Sequence, residues 1–155
     1  ILVSVSTDGS ASSDNQNILA AARLASQYQK AFHKDASKLP AQRVLELITV
    51  DAANVLKVNA GSLDVGRLAD LTVISTTRTN LVPTRISNVV ENLVWASDGS
   101  EVSMVIAGGN LLRDENVFTT LDRDEIIEKV SVLSQEFDTF VATTNLDVKG
   151  TGAHR

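Results

Sequence analysis

The 155-residue chain carries 14 Lys and Arg against 19 Asp and Glu, a formal net charge of −5, and 43% of its residues are hydrophobic. That length and balance suit one ordinary globular domain, and an acidic excess without a basic stripe excludes nucleic acid as the main partner. With no cysteine there is no disulfide framework, thiol nucleophile or thiolate metal site, which suits a reducing, cytoplasmic setting; no membrane-spanning run and no signal peptide with a basic n-region is visible.

Residues 1–5 are mostly apolar and β-branched, the composition of a strand covered on both faces. A strand with no lead-in predicts that the chain is the C-terminal piece of something longer. Thr7, Asp8 and Gly9 follow at once and put a carboxylate at the C-terminal lip of that strand. In α/β proteins this lip is where catalytic groups gather, although the same residue types also make a plain turn. Residues 10–15 offer several N-caps for the next helix. That helix is predicted over residues 16–33, where Ile18, Ala21, Ala25, Tyr28 and Phe32 form one apolar stripe. After a polar connection at 34–39, Pro40 suits the first turn of a second helix carrying Val44, Leu45, Leu47 and Ile48. Thr49 reads as the N-cap of a short third helix with Ala52, Ala53, Val55 and Leu56.

Beyond Asn59, Gly61 and Gly66 the chain changes character, and from 62 to 118 the signals are short strands and turns. Strands are predicted at 71–74, at 92–96 around the only Trp, Trp95, and at 102–107 and 110–113, the last two joined by a Gly108-Gly109 hairpin turn. Residues 81–88 read as a polar loop around Pro83. Such a group of short antiparallel strands makes half a sandwich or barrel rather than a free sheet. Asp122, with Glu125 three residues on, opens a last helix in which Ile126, Val130, Leu133, Phe137 and Phe140 step by four and three. That stripe can seat on a core or pair with another helix, and the polar stretch 143–155 reads as a frayed tail.

The two histidines, His33 and His154, sit in no metal-ligand spacing. His33 at a helix end reads as a partner of the last carbonyls. No Ser/His/Asp set and no phosphate-loop spacing is present. Gly9 with Ser10, Ser12 and Ser13 offers only a weak anion cradle.

Four stretches, in order, carry a resemblance. Residues 3–12, VSVSTDGSAS, followed by a polar run and an amphipathic helix, look like the eighth strand and following loop of the amidohydrolase superfamily. The branch they resemble holds aminohydrolases and chlorohydrolases, including methylthioadenosine/S-adenosylhomocysteine deaminases. Residues 49–56, TVDAANVL, resemble the short helix leaving the barrel, and residues 61–71, GSLDVGRLADL, resemble the return into the family's small β-domain. Residues 87–97 and 102–110 resemble its last strands. The resemblance implies an α/β fold, the C-terminal portion of a TIM-barrel amidohydrolase. Residues 1–58 would be the last barrel strand, catalytic loop and helices, residues 59–120 the C-terminal share of the β-sandwich, residues 121–142 a C-terminal helix, and residues 143–155 a flexible tail.

The same resemblance implies that Asp8 is both catalytic residue and metal ligand, binding Zn or Fe(II) in the full-length protein and taking a proton from the metal-bound water. Gly9, Ser10 and Ser12 match the substrate loop; Ser13 departs from the Asn usual there. The histidines that complete the family's metal site are missing, and one carboxylate cannot hold a catalytic ion that needs about three protein ligands, so no metal is expected in this chain alone. The implied activity is hydrolytic deamination of an adenosine-type amino-heterocycle, with a small heterocyclic substrate and a homo-oligomer as the expected partners. The alternatives are a non-catalytic binding or assembly module that keeps the fold segment and a phosphate-binding protein using residues 9–13.

Overall fold

In the computed structural model, which describes residues 1–144, the polar run after Gly9 closes one helical turn, α1 (Ser10–Ser13), before the long helix α2 (Ile18–His33) begins. Asn17 starts α2 by accepting the Ala20 N–H on Oδ1 at 3.0 Å. This is the orphan amide an N-cap exists to satisfy. The cap therefore falls two residues beyond the 10–15 window in which the sequence offered candidates. Lys34 ends the helix in the left-handed conformation.

Pro40 occupies the N-cap of α3 (Ala41–Ile48), and α4 (Val50–Leu56) follows across Thr49. Thr49 stands at the N-cap of α4, yet its hydroxyl donates backward to the Leu45 carbonyl at 2.8 Å rather than capping forward. Ala22 of α2, Ala41 and Val44 of α3, and Val94 form the buried cluster, with Val5, Leu39, Leu45, Ile48, Val90 and Trp95 packed against it. Small residues at the centre let the helices approach closely; each large side chain then covers apolar surface at roughly 25 cal/mol per Å².

Two strand expectations are corrected. Residues 1–5 form no strand: Ile1, Leu2 and Val3 are exposed, and the segment's main-chain tie is Val5 N–H to the Leu47 carbonyl at 3.4 Å. A strand exists only through a neighbour that takes up its backbone groups, and among the described residues no strand pairs with this segment. The Trp95 segment is helical, α5 (Val89–Ala96). The short apolar run around Trp95 reads as a strand at 92–96, but such runs are ambiguous between the two states, and packing decided it. Val94 is fully buried in the helical cluster, and Asn92 reaches back to the carbonyls of Leu81 at 3.0 Å and Pro83 at 3.1 Å, pinning the loop before the helix.

The strands expected at 71–74, 102–107 and 110–113 form, and a short fourth strand, not predicted from the sequence, follows them. β1 (Leu71–Ile74), β2 (Val102–Ala107), β3 (Asn110–Asp114) and β4 (Val117–Phe118) form one antiparallel sheet in the order β1-β2-β3-β4. Leu71 pairs with Ile106, and Val105 with Arg113. Gly108 and Gly109 both take positive φ at the β2–β3 turn, as a two-residue hairpin requires. Asp70 locks that turn by accepting the Gly108 N–H at 2.7 Å. No side chain of the sheet is buried. At the entry to the sheet region, Gly61 (φ +87°) crosses so close to α4 that a Cβ there would lie 2.8 Å from the Thr49 carbonyl oxygen and 2.9 Å from Ala53 Cβ.

These elements make up a first unit, Ile1–Thr119; a second begins at Thr120. The second unit is α6 (Arg123–Thr144), whose first amides, those of Asp124 and Glu125, both donate to Asp122 Oδ1 at 3.0 Å. Asp122 thus caps the helix as its spacing suggested. Glu125 does not return the bond expected of a capping box; it pairs with Lys129 one turn on. The helix runs to Thr144, so Thr143 and Thr144, expected in the tail, are helical; the rest of that tail, with His154, lies outside the described residues. Among the described residues no helix is long and apolar enough to cross a membrane.

Candidate active site

Asp8 sits at φ 59°, in the left-handed region that residues other than glycine seldom enter. Asp and Asn tolerate it best because a short polar side chain can bond locally, and that is what happens: Oδ1 accepts the Gly9 N–H at 2.7 Å. The Asp8 N–H donates to Ser6 Oγ at 3.3 Å, and its carbonyl accepts from Thr7 Oγ1 at 3.1 Å and Gln16 Nε2 at 3.3 Å. Ser13 Oγ donates to the Thr7 carbonyl at 2.6 Å. The loop from 6 to 16 is thus closed by its own side chains around the exposed Asp8 carboxylate; a second exposed carboxylate, Asp14, ends α1 at φ 56°. A left-handed non-glycine residue costs of order 1–3 kcal/mol and persists only where its surroundings hold it, as at ligand-binding sites.

The loop is anchored to the far part of the unit through Asn17. While Oδ1 caps α2, Nδ2 donates to the Asp98 carbonyl at 3.2 Å. The turn at Asp98 and Gly99 is held from below by Glu101, 1% exposed, whose carboxylate accepts from Asp98 N–H at 3.4 Å, Gly99 N–H at 3.3 Å and Asn80 Nδ2 at 3.3 Å. Hydrogen bonds from Ser100 to the Asp98 carboxyl hold that group below the usual carboxylate range. Nearby, Arg23 donates from Nε to the Val94 carbonyl at 2.7 Å and from its terminal nitrogen to the Ser97 carbonyl, placing a cation at the C-terminal end of α5.

Asp8, Gly9, Ser10 and Ser12 lie within the stretch 8–12 and are all exposed. Ser10 and Ser12 lie in α1. Gly9 precedes it in an extended conformation at φ −78°, with its N–H already committed to Asp8. That commitment takes the leading donor from the anion cradle suggested by Gly9 to Ser13. A depression of about 190 Å³ lies beside the loop, lined by Thr7, Ser13, Asn15, Asn17 and the α2 residues Ala20, Ala21 and Leu24. Thr7, Gln16 and Asn17 were not singled out from the sequence. Asn17 carried a signal, an Asx residue directly before an apolar-periodic run; the clasp of Thr7 and Gln16 carried none, because it joins residues nine apart through side chains. His33 closes α2 and packs edge-on against Phe32, with ring centroids 5.1 Å apart.

Among the described residues no group of three or more His, Asp or Glu side chains could hold a metal ion. Asp8 offers one carboxylate where a catalytic zinc takes about three protein ligands, so the residues present do not fit such an ion by themselves.

The sequence profile of the amidohydrolase family matches residues 1–112. Over 127 residues the chain is 31% identical to a 5-methylthioadenosine/S-adenosylhomocysteine deaminase of Pyrococcus abyssi, covering 82% of this chain and 29% of that protein. Over 136 residues it is 29% identical to a 5'-deoxyadenosine deaminase of Methanosphaera stadtmanae, covering 88% and 32%. Among solved structures it superposes on an adenosine deaminase from Xanthomonas campestris with bound zinc, at a TM-score of 0.83 and 23% identity, covering 90% of this chain and 32% of that one. At that identity the likeness speaks to the fold. The chain spans about three-tenths of the length of these relatives.

Proposed function

The chain belongs to the amidohydrolase family, and from that premise we propose that it is the C-terminal portion of a metal-dependent hydrolase that deaminates an adenosine-type amino-heterocycle. The observation that carries this reading is the Asp8 loop: an exposed carboxylate held in a strained conformation, within the matched stretch, in a chain whose relatives are named as deaminases of adenosine derivatives. In this reading residues 1–58 belong to the barrel and residues 59–120 to the small β-domain. Gly9, Ser10 and Ser12 flank the substrate, and the depression beside α2 is the near wall of its site.

Asp8 has two tasks in this reading. It contributes one ligand to a zinc or iron(II) ion whose other ligands come from the rest of a longer protein, and its carboxylate accepts a proton during hydrolysis. A bound divalent ion would supply an acidified water. What this chain supplies is the position of the carboxylate: the Gly9 N–H fixes Oδ1, the Gln16 amide fixes the Asp8 carbonyl, and Asn17 ties the loop to the turn at Asp98. Zinc bound in the superposed adenosine deaminase supports the choice of metal.

The test is ammonia release by the longer protein, supplied with zinc, from methylthioadenosine, S-adenosylhomocysteine and 5'-deoxyadenosine. Release from at least one of them, abolished in Asp8→Asn, is the expected result. No release from any of the three overturns the proposed substrate class.

A further inference from the structure

α6 presents a stripe that no described residue of its own unit covers. Ile126, Val130, Leu133, Phe137 and Phe140 are each between 43% and 61% exposed, and no residue of the helix is buried. Their spacing of four, three, four and three is the a/d seam of a coiled coil. With Val130 and Phe137 at a, the d positions hold Ile126, Leu133 and Phe140, and the flanking g positions hold Lys129 and Glu136. We propose that this stripe is an interface with a second copy of the chain, the two α6 helices packing antiparallel about a two-fold axis between Val130 and Leu133.

Charge selects both the occupant and its direction. In an antiparallel pair g faces g, so Lys129 of each copy meets Glu136 of the partner, and the two-fold axis makes the contact twice. The a/d layers match in the same register: Val130 packs on Leu133, Phe137 on Ile126, and Phe140 on Arg123, a cation over an aromatic face. A parallel pair places Lys129 against Ser134 and Glu136 against Val141, and gains neither charge contact. It also sets the acidic groups of the first turns, Asp124, Glu125 and Glu128, side by side, with both helix dipoles aligned. The antiparallel pair separates those acidic turns to opposite ends. This inference is independent of the catalytic reading.

Because the chain has no cysteine, register can be read by cross-linking the full chain. Ile126→Cys and Phe137→Cys are made separately, mixed and oxidised. The expected result is a disulfide-linked dimer in the mixture, and several-fold less in either variant alone, since 126 faces 137 and neither faces itself. Efficient linkage of Phe137→Cys to itself indicates a parallel pair and overturns the proposal. A second readout uses charges on the surface, where folding is not at issue. Lys129→Glu should weaken dimerisation about tenfold by sedimentation, and adding Glu136→Lys should restore it. A monomer at all concentrations, or a dimer indifferent to Lys129→Glu and without a 126–137 link, shows that the stripe is covered by the chain's own first unit or by another partner, and overturns the proposal.

Discussion

In the proposed function Asp8 carries the chemistry of the chain in one side chain, and it does so at a conformational cost. An Asn in its place keeps the shape and can still accept the Gly9 N–H, but it cannot take a proton at the working pH. In the longer protein proposed above, Asp8→Asn should lower kcat by about a hundredfold or more, the range in which a positioned base works, while the thermal midpoint stays within a few degrees. Activity within tenfold of the parent identifies Asp8 as a turn residue only. Gly61 is a contrasting single residue, important for packing alone. Its φ of +87° and the 2.8 Å and 2.9 Å approaches to Thr49 and Ala53 leave no room for a methyl group. Gly61→Ala should cost about 2–3 kcal/mol in chemical denaturation; an unchanged denaturation midpoint shows that α4 is free to move aside.

Among the elements, α2 carries the weight of the site because its first turn serves two ends. Asn17 satisfies the Ala20 amide and holds the Asp98 carbonyl with the same side chain. Asn17→Ala removes an N-cap and a tertiary tie together, and should destabilise the first unit by about 1–2 kcal/mol. It should also speed amide exchange at Gly9, which depends on the loop the cap anchors; exchange at Gly9 equal to that of the parent separates the cap from the loop. Element types were legible wherever periodicity ran long. The α2 stripe, the Pro40 and Thr49 punctuation of α3 and α4, and the Gly108-Gly109 hairpin can be read from local chemistry. α5 could not be read so. Eight residues rich in Val fit either state, and burial of Val94 against α2 and α3 chose the helix, a long-range contact absent from any local window.

On the scale of the whole molecule the chain holds its helical cluster together yet leaves much apolar surface uncovered, from Ile1 to Val3, along the sheet, and on α6. Among the described residues it also holds no group of three or more side chains that could bind a metal ion. The 155-residue chain should therefore take up no stoichiometric zinc: elemental analysis after zinc loading and dialysis should give values far below one ion per chain. One tightly held zinc, lost in Asp8→Ala, refutes this.

The residues by themselves determined the family, through the stretches VSVSTDGSAS and GSLDVGRLADL, and the periodic elements, because both are encoded by neighbours along the chain. They also marked Asp8, since a carboxylate after an apolar run is a local pattern. Only the tertiary structure decided that residues 1–5 form no strand, that Trp95 stands in a helix, and that Gln16, Asn17 and Glu101 build the support of the Asp8 loop. Each depends on a partner distant in sequence. A strand needs a neighbour for its amides, a short apolar run takes the form its packing demands, and a buried carboxylate such as Glu101 is retained only where donors converge on it.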